Sequence, residues 1–138
     1  MRSLAVVGLL GVALIHVLDA HDTFVSTPYL GWLYLGLIAG CLATAAVLVQ
    51  RSDPRAWLAG MLLPLGAMLG YVYSRTVGLP DDGSDIGNWW QTLGIASLFV
   101  EAAVAALCAA MVSAAAPVLT STPRPVLASR QLLERSVR

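Results

Sequence analysis

The chain has 138 residues, of which 58% are hydrophobic and 12% charged, and its mean hydropathy is +0.77. Soluble domains carry about a quarter charged residues, so this composition excludes an ordinary water-soluble globule and points to an all-α membrane protein of one domain. The formal net charge is zero and all eight basic residues are arginine, which excludes a basic nucleic-acid surface.

Apolar runs predict a bundle of four transmembrane helices, about residues 4–20, 29–49, 56–74 and 90–111, measured against the ~17–25 residues a span needs. Arg2, the run Leu4 to Ile15 and Ala20 imitate a secretory signal, but Leu18 stands where cleavage wants a small residue, so the first helix is expected to be retained. That run is short, and the helix is expected to continue through Asp19 and Ala20.

The second helix opens with Tyr29, Trp32 and Tyr34, which with Trp89 and Trp90 read as an outer aromatic belt, and Trp57 reads as the inner counterpart. Gly36 and Gly40, and Gly66 and Gly70 in the third helix, have GxxxG spacing and are expected to let helix backbones approach. Pro64 should kink the third helix. Cys41 and Cys108 lie in apolar runs at depths of roughly 18 and 27 Å, too far apart for a disulfide.

After Met111 the chain reads as a Pro- and Thr-bearing linker and a tail, 114–138. There Leu127, Leu132, Leu133 and Val137 alternate with arginines, a pattern that suits either a short interfacial helix or a basic disordered end. Seven of the arginines (Arg2, Arg51, Arg55, Arg124, Arg130, Arg135 and Arg138) fall on one side of the predicted spans, and only Arg75 on the other. Short loops rich in arginine stay in the cytoplasm, so both termini are expected there, in a bacterial inner membrane.

Chemistry concentrates in three places. His16 and Asp19 share a helical face near the outer end of the first helix, followed at once by His21 and Asp22. An acid orienting an imidazole is how metal-bound and haem-bound histidines are held, so haem or copper is a candidate cofactor. The plainer reading is a polar helix end with local hydrogen bonds. His21 lies about 140° around the helix from His16, and the two share a ligand only if the helix has ended.

Glu101 falls near the midplane of the fourth helix, on a face with Gly94, Ser97, Ala105 and Cys108. A carboxyl at that depth is expected to face other helices, as a hydrogen-bonded structural group or as a proton-linked one. In the loop SRTVGLPDDGSDIGNWW, Arg75 and Asp85 suit a bidentate clasp joining two helix ends, with Asn88 and Trp89 beside it, and Asp85 also suits the N-terminal dipole of the fourth helix. Asp81 and Asp82 add to the acidity of this side. The common hydrolase, nucleotide and zinc-protease motifs are absent, and two histidines exclude a three-histidine site within one chain.

The segments DAHDTFVSTPYLGWLYLGLI and SRTVGLPDDGSDIGNWWQTLGIASLFVE resemble the small four-helix membrane proteins widespread in actinobacteria, a group with no established activity. The resemblance covers roughly Ala13 to Glu101 and implies architecture and bacterial origin, with no catalytic residue. The leading functional expectation is non-enzymatic, an accessory subunit that packs against other membrane subunits or a second copy. A redox protein using His16 comes next. A small proton-linked transporter built on Glu101 is third, because four helices leave little room for a pathway.

Overall fold

The computed structural model describes residues 1–80 and 83–120, with side chains through 114. It is all-helical: α1 (Arg2–Ser26), α2 (Pro28–Gln50), α3 (Pro54–Thr76) and α4 (Thr92–Thr120). All four are long and apolar enough to cross a membrane. At 1.5 Å per residue, the 23 residues of α2 or α3 reach roughly 34 Å, against a hydrocarbon core of about 30 Å.

Two boundaries differ from expectation, each for a local reason. α1 does not stop near residue 20 but runs through His21, Asp22 and Thr23 to Ser26. None of those residues breaks a helix, and the first true stop is Pro28, which forces the residue before it out of the helical region. Thr27 is accordingly non-helical (φ −141°, ψ 78°), and Pro28 opens α2 after that single residue. α4 begins at Thr92, with Trp89 and Trp90 still in the preceding turn, and its Ala-rich end carries it past residue 113 to Thr120. Asp81, Asp82 and residues 121–138, where the tail suits either a short interfacial helix or a basic disordered end, lie outside the described residues.

The α2–α3 connection is capped by its own side chains. Asp53 accepts the Arg55 backbone N–H at 2.9 Å, Pro54 occupies the first turn, and Trp57 Nε1 donates to Ser52 Oγ at 2.9 Å. Trp57 is therefore a buried core residue and not an aromatic anchor at the membrane surface.

The helices form a ring in chain order, with α1 packed most extensively on α2 and α3 on α4. The half of the bundle near the start of α1 and the α2–α3 connection is apolar: Ala5, Leu9 and Val12 of α1 meet Cys41, Ala45 and Leu48 of α2, Trp57 of α3, and Val104 and Cys108 of α4. Both cysteines are free and buried there. Close approach is made by Gly8 against Val104, Gly60 against Cys108 and Gly94 against Tyr71. Of the GxxxG glycines only Gly40 sits close to a neighbouring side chain, Leu63; a Cβ on Gly36, Gly66 or Gly70 would meet nothing within 4 Å.

The exterior is apolar. Leu14, Leu18, Trp32, Leu69 and Phe99 all stand more than half exposed. In water each would forgo about 1.5–3 kcal/mol of burial, whereas in contact with lipid the same surface is matched to its solvent.

Candidate functional site

The half of the bundle toward the α1–α2 and α3–α4 connections is open. A cavity of about 740 Å³ lies there, with Leu33, Tyr34 and Leu37 of α2 facing Leu63, Gly66 and Gly70 of α3. Gly66 and Gly70 thus border the cavity and seat no other described helix of this chain.

His16 and Glu101 meet at the deep end. His16 Nε2 lies 3.7 Å from Glu101 Oε1, an ion-pair distance longer than a hydrogen bond, and the two residues are 7% and 2% exposed. His16 Nδ1 lies 2.9 Å from the Val12 carbonyl. A carbonyl only accepts, so Nδ1 carries the hydrogen and, in the neutral ring, Nε2 presents its lone pair to Glu101. Ser97 Oγ donates to Glu101 Oε1 at 2.7 Å. The longer α1 explains why His16 is deep: ten residues from Ser26, roughly 15 Å, against nine residues from Thr92 to Glu101, roughly 14 Å.

Asp19 does not orient His16, as the sequence suggested. Its Oδ2 accepts from Tyr34 Oη at 3.2 Å and from Thr23 Oγ1 at 3.4 Å. Tyr34 belongs to this wall and not to an outer belt, and its ring packs edge-on against His16 at 4.7 Å. His21 and Asp22 contact each other at 3.1 Å with side chains 88% and 91% exposed. The structure therefore separates His21 from His16. Among the described residues no group of three or more His, Cys, Asp or Glu side chains converges as a metal would need.

Arg75 and Asp85 are paired, Nη1 to Oδ2. Nη2 donates to Gln91 Oε1, the guanidinium sits 4.7 Å above the Tyr71 ring, and Nε has no hydrogen-bond partner. The backbone completes the clasp: Gly87 N–H donates to the Arg75 carbonyl at 2.9 Å and Asn88 N–H to the Asp85 carbonyl at 3.0 Å. Gly78 (φ +86°) and Gly87 (φ +79°) supply left-handed turns that a side chain would strain. Tyr71 Oη donates to the Trp89 carbonyl at 3.2 Å, and Tyr29 Oη to the Pro80 carbonyl at 2.9 Å. Because α4 starts at Thr92, Asp85 lies outside its first turn; its partner is Arg75, not the helix dipole.

Sequence reasoning missed the inward role of Tyr34, and Tyr71 and Gln91 altogether. Helical spacing held the signal for the first: Tyr34 stands three, seven and eleven residues before Leu37, Cys41 and Ala45, on the face α2 turns to the core. Gln91 carries no such signal, since only the fold of the loop brings it to Arg75.

Comparison with known proteins gives no match, either among family models, curated proteins or solved structures.

Proposed function

We propose that the chain is a small-molecule-binding protein of the bacterial cytoplasmic membrane, with both termini inside, and that occupancy of its cavity is linked to a proton held by His16 and Glu101. The supporting observation is the 740 Å³ cavity with that pair at its floor. Cavities of roughly 300–1,000 Å³, mostly apolar with a few convergent polar groups, suit small organic ligands. An ionisable pair at mid-bundle is expensive to keep and marks function before structure.

This reading takes up the proton-linked role of Glu101 and supplies the room that four helices were expected to lack. The accessory-subunit expectation drew on small size, absent motifs and glycine faces, and two of those glycines, Gly66 and Gly70, border the cavity. The arginine distribution supports the orientation, which opens the cavity to the extracytoplasmic side.

Gly70→Leu tests the reading, because Gly70 lines the cavity and a Cβ there would meet nothing within 4 Å, so a larger side chain takes up cavity volume. Protein purified in mild detergent should yield, by mass spectrometry of its extract, a small non-lipid molecule at near stoichiometry that Gly70→Leu loses. Recovery of nothing but bulk phospholipid from both would overturn it.

A further inference from the structure

We infer that the cavity takes a small amphipathic organic cation, which binds by displacing the one proton held between His16 and Glu101. The inference rests on the binding role proposed above and names its ligand class. Among the described lining residues Asp85 is matched by Arg75 and the Asp22 side chain is 91% exposed, which leaves the carboxyl groups of Asp19 and Glu101 in the cavity with no guanidinium of their own. The charge of Arg75 is matched by Asp85 and its Nη2 is taken by Gln91, with Nε alone left without a partner. The surplus is negative, and in a low-dielectric cavity that surplus selects sign strongly.

The arrangement along the cavity suits a body that is apolar and charged at one end. Leu30, Leu33 and Leu37 of α2 and Leu62 and Leu63 of α3 line it with hydrocarbon. Asp19 stands on the wall between the mouth and the floor, held by Tyr34 and Thr23. Tyr34 also contributes an aromatic ring beside that carboxylate, a surface that attracts cations. Glu101 ends the path, its Oε1 positioned by Ser97.

The exchange balances. Before binding, neutral His16 and protonated Glu101, or imidazolium and carboxylate, carry one proton and no net charge. The cation settles beside the Glu101 carboxylate, the proton leaves to water in the cavity, and His16 stays neutral with its Nδ1–H on Val12. No net charge enters the bundle, which avoids the cost of an unpaired ion at that depth. The titratable and charged groups that share the cavity or the adjoining core with Glu101 are His16, Asp19 and Asp22 from α1, Tyr34 and Cys41 from α2, Tyr71 and Arg75 from α3, and Asp85 from the α3–α4 connection. Cys108 lies on α4 itself. Of these, His16 stands at ion-pair distance.

The test uses the full chain in lipid nanodiscs and three probes of similar shape: tetraphenylphosphonium, the anion tetraphenylborate and neutral triphenylphosphine oxide. Binding is measured by equilibrium dialysis, and proton release with a pH dye in weakly buffered solution. Tetraphenylphosphonium should bind with release of one proton per cation, and tetraphenylborate should not. Glu101→Gln should weaken the cation about thirtyfold, as loss of one partner of a buried charge contact does, and abolish the release. Asp19→Asn should weaken binding while keeping the release, which provides a readout if Glu101→Gln does not fold. Cation binding without proton release, or equal binding of tetraphenylborate, overturns the inference. If the neutral or anionic probe binds and Gly70→Leu excludes it, the cavity remains a binding site and only the cation class falls. If no probe binds and no molecule copurifies, both fall.

Discussion

His16 of α1 and Glu101 of α4 face each other at 3.7 Å inside the bundle, each fixed by its own helix, His16 through Val12 and Glu101 through Ser97. Each helix thus pre-orients one half of the pair, so bringing α1 against α4 costs little further side-chain freedom.

That pairing should be measurable as coupling. Polar contacts between membrane helices average about 0.6 kcal/mol and reach about 1.7. His16→Ala and Glu101→Gln should each lower the unfolding free energy in detergent, by about 1–3 kcal/mol, because each leaves a buried polar group short of a partner. The double variant should lose less than the sum by roughly 0.6–1.7 kcal/mol. Additive losses would show that the 3.7 Å approach contributes no energy.

Arg75 holds the α3–α4 connection from the inside. Its guanidinium makes a paired contact, an amide contact and a ring contact at once, toward Asp85, Gln91 and Tyr71. A lysine ammonium is a point charge without the planar fork and does not make all three. Arg75→Lys should therefore loosen the connection while leaving the four helices in place. Hydrogen exchange at the amides of Ile86 to Trp89 should accelerate about tenfold or more, which is the loss of about 1.4 kcal/mol of local stability. Unchanged exchange at those amides would mean that Gly78 and Gly87 set the turn without help from Arg75.

The two kinds of glycine should respond oppositely to a methyl group. A Cβ at Gly8 would lie 2.3 Å from Val104 Cγ2, and valine in a helix is held to nearly one rotamer, so the helices must part. Gly8→Ala should cost about 1–3 kcal/mol, the usual range for overpacking. At Gly66 a Cβ meets nothing, and Ala is favoured over Gly in a helix by up to about 1 kcal/mol. Gly66→Ala should be neutral or stabilising. Thermal denaturation of both variants in one detergent distinguishes a filled contact from an open cavity.

Much of this architecture is legible in the amino-acid pattern, and what is not has physical reasons. Hydrophobic runs mark where helices meet lipid, so they locate four helices, but they do not mark where helices end. DAHDTFVS is polar enough to end a hydrophobic run and yet remains helical, because nothing in it removes a backbone hydrogen bond before Thr27–Pro28. That difference moved His16 from the expected helix end to mid-bundle. GxxxG spacing records that two glycines share a face, not what lies opposite, and at Gly66 and Gly70 the answer is a cavity. The inward stripes were readable, with Ser97, Glu101, Ala105 and Cys108 on one face of α4 and all buried. The partner of Glu101 was not, since His16 is far off in sequence and only the ring order of the helices joins them.

The orientation is open to a labelling experiment that the fold makes clean. Cys41 and Cys108 are buried in the apolar half of the bundle, and thiols react as solvent-accessible thiolates, so the native protein should give no background with a maleimide until it is unfolded in dodecyl sulfate. His21 is almost fully exposed at the α1–α2 end and Ser52 is exposed at the other. In intact cells a membrane-impermeant maleimide should label His21→Cys, at the end where the cavity opens. Ser52→Cys should react only after the membrane is breached, because the α2–α3 loop lies between Arg51 and Arg55 and arginine-rich short loops stay inside. The reverse pattern would put the cavity mouth in the cytoplasm, and a ligand would then have to come from the cell interior.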